Sequence, residues 1–295
     1  MSSDLLAMFN SLNDATEKRN TYQRAPFGYP GGKSRSLSEI LPHLPYRKKW
    51  IDVFGGSGVV TINRQPSPLE VYNDRYSGVV AFYRVLRDPT LVARLIERLQ
   101  LTVHSREEFL WCKETWPNCQ DDVERAARWF YMIDVSVINK GDAFARATKA
   151  AFSPNITSTL QSFWPVHERF KHIIVENLDW TQCFRDFDDS DAVFYCDPPY
   201  MHTDHGSYAH TFNEQDHKNL LTAIFGLSGF VALSGFPSTL YESFPWDQRY
   251  EWESWTSTRV QAFTSENHHK DKGFEDVLCQ QHRTTECLWI KESKS

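Results

Sequence analysis

Residues 193–200 read VFYCDPPY, an apolar run that ends in an aspartate and two consecutive prolines. Four apolar residues in succession suit a strand buried on both faces, as in a parallel sheet covered by helices. Pro198 and Pro199 fix φ and carry no N–H, so the ladder stops and Asp197 is left at the carboxyl end of the strand. In open α/β sheets that edge is where ligands bind. The Asp197 carboxylate beside the Pro198 carbonyl makes a pair of stiffly held acceptors, suited to gripping an –NH2 group. Tyr200 adds a flat face for the ring that carries the amine, and so is expected to be exposed to the crevice.

Two further apolar runs end in the same way. KKWIDVFGGSG supplies Asp52 and Phe54, with Gly55, Gly56 and Gly58 allowing close backbone approach, though the spacing is not G-x-G-x-x-G. LEVYND closes on Asp74, where a carboxylate can accept from both hydroxyls of a ribose. A cofactor charged as a sulfonium needs aromatic and carboxylate neighbours, which Phe54 and Asp52 can supply. VENLDW offers Asp179 and Trp180 at another strand end. The stretch GYPGGKS over 28–34 invites a phosphate-cradling reading, but the pattern G-x-x-x-x-G-K-[ST] requires glycine where Phe27 stands.

Helical periods separate the strands. VVAFYRVLRD, TLVARLIERLQL and EQDHKNLLTAIFGL read as helices, and 121–139 sets Ala126, Trp129, Phe130, Ile133 and Val137 on one face with Asp121 as cap. Residues 5–12 form a short amphipathic pattern. From Lys140 to Pro165 no period is sustained, so loops are expected there. FVALSG, RVQAFT and TECLWI are further strand candidates. Alternating strands and helices predict an α/β fold with a mostly parallel sheet.

The remaining features narrow the function classes. The 295 residues carry a net charge of −6, which argues against general polyanion binding but permits a local basic surface. Six cysteines without a C-x-x-C pair suggest neither a zinc site nor a disulfide framework. No run approaches a membrane span and the N-terminus lacks a signal-peptide pattern, so a soluble intracellular protein is expected. Histidines in MHTDHGSYAHTF, with His268 and His269, raise a metal reading that lacks ligand spacing; no metal is expected.

GYPGGK, DVFGGSG, YND and CDPPY, in that order, resemble the Dam-like (D12 class, alpha-group) DNA adenine-N6 methyltransferases. The resemblance implies a class I, Rossmann-like methyltransferase domain over 25–85 and 170–295 with an antiparallel terminal strand. A largely helical target-recognition segment would occupy 86–169, after an N-terminal helix and linker over 1–24. It implies S-adenosyl-L-methionine as cofactor, double-stranded DNA as partner, no membrane, a monomer or weak dimer, and the cytoplasm of a bacterium or phage-infected cell. By match, Tyr29, Lys33, Asp52, Phe54, Gly56, Gly58, Asp74, Asp179, Trp180 and Asp197 would bind the cofactor. Asp197, Pro198, Pro199 and Tyr200 would form the catalytic tetrapeptide. Asn139, Lys140, Arg146 and Lys149, in and after SVINKGDAFAR, would meet DNA. The turn departs from the family's aromatic-Ala-Gly-Gly-Lys at Pro30, which stiffens it. Methylation of cytosine N4, an RNA amino-methyltransferase and an inactive DNA-binding relative are the alternatives. Asp197 favours adenine over cytosine N4, where serine often takes its place. Cytosine C5 chemistry would need a nucleophilic cysteine, and Cys196 is expected in the core.

Overall fold

The computed structural model describes residues 22–145, 156–201, 212–258 and 280–294. The expected helix over 5–12, the expected strand over 259–264, Arg146, Lys149, residues 202–211, His268 and His269 lie outside the described residues.

Seven strands are described: β1 Lys49–Asp52, β2 Leu69–Asn73, β3 Ile174–Glu176, β4 Ala192–Cys196, β5 Phe230–Gly235, β6 Gln248–Thr258 and β7 Gln280–Lys291. They form one sheet in the order β3-β2-β1-β4-β5-β7-β6. The first five are parallel, and β7 runs antiparallel to both β5 and β6. Side chains alternate between two apolar layers, which is why the strands read as unbroken hydrophobic runs. Along β4, Ala192, Phe194 and Cys196 enter one layer with Ile51 and Val53, while Val193 and Tyr195 enter the other with Trp50, Val59 and Val60.

The main helices are α1 Val59–Asn63, α2 Ser77–Leu86, α3 Pro89–Gln100, α4 Arg106–Thr115, α5 Asp122–Asp134, α6 Phe163–Phe170, α7 Trp180–Phe187 and α8 Glu214–Gly226. Asp121 caps α5 as expected, accepting from the Glu124 N–H at 2.9 Å. The helix ends at Asp134 and not at 139, because the chain turns into a hairpin. The Ala145 N–H donates to the Val135 carbonyl at 2.9 Å and the Val137 N–H to the Ala143 carbonyl at 2.8 Å.

Two corrections follow. The stretch read as loops contains the helix Ile156–Leu160 and the start of α6. Phe163, Val166, His167 and Phe170 give α6 a buried face, and Pro165 falls in its first turn, where its missing N–H has no intrahelical role. Second, β6 pairs along its length with β7, a hairpin arm that the polar sequence QRYEWESWTST conceals.

The helices of segment 86–169 have no core separate from α2: Phe82 packs on Trp129, Phe130 and Phe163. Tyr83 stacks on Phe170 at 4.3 Å. A buried ionic clasp adds to this, since Glu70 of β2 accepts from Arg64 at 3.2 Å and from Arg169 of α6 at 2.8 Å. The helices of this segment and the sheet are thus fastened to one another.

Candidate active site

β1 and β4 are sheet neighbours though not consecutive in sequence, so their carboxyl ends diverge into opposite connections. A crevice of about 320 Å³ opens at this switch point, lined by residues that follow β1, β2 and β4. Tyr29, Lys33, Asp52, Phe54, Gly56, Asp74, Asp179, Trp180 and Asp197 to Tyr200 all line it. Gly58 lies just behind, in the left-handed region at φ 68°, as N-cap of α1.

The glycine turn after β1 is pinned from β2. Gly56, at φ 49°, donates its N–H to Asp74 Oδ2 at 2.8 Å, and its carbonyl accepts from the Tyr72 hydroxyl at 2.6 Å. A side chain at Gly56 would meet the Tyr29 ring at 3.1 Å, so that ring lies over the turn. Asp74 Oδ1 accepts from the Tyr76 N–H at 2.7 Å. Asn73, fully buried, donates to the Val53 carbonyl at 2.9 Å and accepts from the Leu178 N–H at 2.8 Å. It thereby ties the turn to the segment carrying Asp179 and Trp180. Asp179 caps α7 through the Thr181 N–H at 3.0 Å, and Trp180 packs edge-on to Phe184 at 5.5 Å. Phe54 meets Phe212 edge-on at 5.9 Å.

Asp52 is 2% exposed, and its Oδ2 accepts from Thr61 Oγ1 at 2.6 Å. Thr61 in turn accepts from Trp50 Nε1 at 2.8 Å. Oδ1 has no hydrogen-bond partner among the described residues. Burial pushes the Asp52 carboxyl up to about 7; the Thr61 hydrogen bond works against this, while Asp197 and Asp74 add to it.

At the end of β4, Lys33 Nζ meets Asp197 Oδ2 at 2.6 Å and the Gly31 carbonyl at 2.8 Å. A lysine 4% exposed is thus spent on orienting one carboxylate. Asp197 Oδ1 makes no hydrogen bond of normal geometry among the described residues. Burial lifts the Asp197 carboxyl above its ordinary range, Lys33 pulls it down by charge and hydrogen bond, Glu286 pushes it up, and Tyr200 lowers it slightly. Tyr200 corrects the expectation of exposure. It is 8% exposed, edge-on to Phe236 at 4.5 Å, with Lys33 Nζ 4.7 Å from its ring centre. Phe236, which directly follows β5, covers one side of the ring.

The hairpin after α5 packs against Gly28, the residue before the pocket turn. Asn139 adopts φ 56°, and its amide donates to the Ile133 carbonyl at 3.3 Å. Any Cβ at Gly28 would fall 2.4 Å from Asn139 Oδ1, so the glycine lets the hairpin pack against the pocket turn. Lys140 is half-buried beside it. Sequence reasoning passed over Tyr72, Asn73 and Thr61, whose apolar or small-polar surroundings read as ordinary strand and helix. It also passed over Arg75, which lines the crevice next to Asp74. No cluster of three potential metal ligands occurs among the described residues. Cys196 is fully buried, as expected.

A sequence model of the family described as D12 class N6 adenine-specific DNA methyltransferase matches residues 29–234, most of the chain. The chain is 23% identical over 260 residues to the Type II methyltransferase M.FokI of Planomicrobium okeanokoites, covering 79% of this chain and 39% of that protein. It is 25% identical over 187 residues to the DNA N-6-adenine-methyltransferase of Escherichia phage P1, covering 61% and 24%. To the DNA adenine methylase of Salmonella typhi it is 24% identical over 184 residues, covering 60% and 65%. The chain therefore spans less than two thirds of the length of each of these relatives.

Proposed function

The chain belongs to the D12 class N6 adenine-specific DNA methyltransferase family, and from that premise we propose that it transfers a methyl group from S-adenosyl-L-methionine to the N6 amine of an adenine flipped out of double-stranded DNA. One observation carries this reading: the Lys33-oriented Asp197 carboxylate at the end of β4 borders the same crevice as Asp52, Asp74 and Trp180, which end or follow β1, β2 and β3.

The residues fit such a cofactor. Asp52 has a buried oxygen without a partner among the described residues, suited to a nearby positive charge, and Phe54 adds an aromatic face. Asp74, at the end of β2 on the crevice wall, is the carboxylate that would accept from the ribose hydroxyls. Trp180 and Asp179 would flank the adenine ring, while Tyr29, Gly56 and Gly58 shape the opposite wall. When bound, the cofactor supplies an electrophilic methyl group on a sulfonium.

An exocyclic adenine amine is a poor nucleophile because its lone pair is delocalised into the ring. Asp197 Oδ1 accepts one N–H and the Pro198 carbonyl the other, which favours a pyramidal nitrogen and stabilises the charge it acquires. Pro199 keeps the two acceptors rigid. Asp197, its pKa lifted by burial, is suited to take the proton that the amine then sheds. Tyr200 offers one edge and face of the base pocket. A paired base cannot reach such a pocket, so it must leave the stack. Lys140, Arg146 and Lys149 would contact phosphates or base edges next to the hairpin, and Asn139 would hold that hairpin in place. Relatives from bacteria and a phage support action in the cytoplasm of such cells.

The test is incubation with mixed-sequence duplex DNA and a methyl-labelled donor, followed by nucleoside analysis. Label in N6-methyl-2′-deoxyadenosine is expected, and Asp197→Ala should lower the transfer rate about a hundredfold or more. Label in N4-methylcytosine, or none in any nucleoside, would overturn the reading.

A further inference from the structure

Glu286 lies on β7 opposite Trp252 of β6 and is 8% exposed. Its Oε2 accepts from Ser36 Oγ at 3.1 Å, and Ser36 Oγ accepts from Trp252 Nε1 at 3.2 Å. Ser36 closes the short turn Lys33–Arg35, donating its N–H to the Lys33 carbonyl at 2.9 Å. The terminal strand therefore grips the turn that carries Lys33. A glutamine would make the same grip, so the hydrogen bond does not account for a buried charge. No ion pair to Glu286 occurs among the described residues, and an unpaired buried carboxylate is costly.

The charge has an account in what lies near it. Glu286 acts electrostatically on Asp197, Tyr200 and Tyr195. Lys33 and Asp197 together carry no net charge, so a further negative neighbour adds to the stabilisation that Asp197 gives a positive charge arising on the adjacent amine. We propose that Glu286 is a positioning residue for methyl transfer, which fastens the Lys33 turn from the terminal strand and keeps the group Lys33, Asp197 and Glu286 net negative. The inference rests on the function proposed above.

The groups that face Asp197 are Lys33 from the glycine turn, Glu286 from β7, Tyr195 and Cys196 from β4, Tyr200 beyond it, Asp52 from β1 and Tyr241. Glu286 also faces Cys287. Tyrosines and cysteines here are held neutral by burial, which leaves Asp52, pushed up to about 7, as a further carboxyl group beside Asp197 whose protonation changes. Saturating cofactor and single-turnover rates separate its effect on binding from the transfer step.

Glu286→Gln keeps an acceptor for Ser36 and removes only the charge. Its thermal stability and S-adenosyl-L-methionine affinity should match wild type, with a plateau transfer rate about tenfold lower. The acid limb of the pH–rate profile should move down by roughly half a unit to one unit, because a negative neighbour no longer raises Asp197. Glu286→Asp should return the limb towards wild type. Ser36→Ala breaks the grip but leaves the charge, so its acid limb should stay in place. An unmoved limb and rate in Glu286→Gln, a Gln variant that does not fold, or the same shift in Ser36→Ala would each overturn the inference. If wild type methylates no DNA, the functional premise falls with it; an active wild type with an indifferent Glu286→Gln refutes this inference alone.

Discussion

Asp52→Asn isolates the cost of holding a carboxyl group under the crevice. In the folded protein Asp52 titrates near 7, against 3.8 for an ordinary aspartate. Between those values the folded chain keeps a proton that the unfolded chain has released, so stability falls as pH rises through this window and levels off above about 7. The difference corresponds to at most about 4 kcal/mol at full ionisation. Asparagine cannot ionise, yet its carbonyl can still accept from Thr61. The variant should therefore match wild type at about pH 4 and exceed it by about 2 to 4 kcal/mol at about pH 8. Urea denaturation across that range measures the gap. The same substitution should weaken binding of S-adenosyl-L-methionine and flatten its pH dependence, since wild-type affinity for a cation rises as Asp52 ionises. Its neutral thioether product should bind with little pH dependence in either protein. A stability gap that does not change with pH would refute the assignment of a neutral, buried Asp52.

Three further outcomes are expected. Asp74→Ala frees the Gly56 and Tyr76 N–H groups as well as a ribose acceptor, so it should cost about 1 to 3 kcal/mol in stability and a similar amount in cofactor affinity, by denaturation and calorimetry. Tyr200→Ala removes a ring packed on Phe236 and should destabilise the protein as well as slow transfer, whereas Tyr200→Phe should keep stability; an alanine variant with unchanged melting would restore the exposed-platform reading. Gly28→Ala drives a methyl group into Asn139, so DNA affinity should fall several-fold while cofactor affinity holds, measured by fluorescence anisotropy and calorimetry; loss of cofactor binding instead would show that the pocket turn yields and the hairpin does not.

Much of this site was legible because burial on both faces of a parallel strand leaves an unbroken apolar run, and the residue that ends the run is then conspicuous. Asp52, Asp74, Asp179 and Asp197 were all found in that way, and they do line one crevice. What escaped notice depended on long-range partners. The motif places Lys33 in the pocket turn, but its ion pair with Asp197 shows only when a chain separation of 164 residues is closed. Tyr200 looked exposed because nothing local announces Phe236. β6 was missed since it lies at the edge of the sheet, where polar side chains are tolerated and alternation carries little contrast. α6 was missed because a proline in its first turn interrupts a short period.

The site's acids raise a question that the fold answers. Among the described residues, Asp52, Asp74, Asp179, Asp197 and Asp216 line the crevice with only Lys33 and Arg75 as basic residues, so like charges oppose one another there. Asp197 and Asp74 each push Asp52 up, and Lys33 is committed to Asp197. Below about pH 7 such surroundings keep a proton on Asp52; a cationic ligand would displace it. In the proposed reaction positive charge departs from one end of the crevice and arises on the amine at the other. A single carboxylate could favour only one of those ends. Asp52 and Asp197 stand at the ends of β1 and β4, adjacent strands whose spacing in a sheet is about 4.8 Å, so each end has its own acid at a separation set by backbone hydrogen bonding. The two acids are also tuned differently: Asp52 rests on a hydroxyl and stays easy to protonate, whereas Asp197 is held by an ammonium group that opposes its protonation. Exchanging the acids' surroundings, with Thr61→Val at one end and Lys33→Met at the other, should therefore raise the pH needed for cofactor binding in the first case and for transfer in the second, and a common shift of both steps in either variant would show that the two acids titrate as one unit.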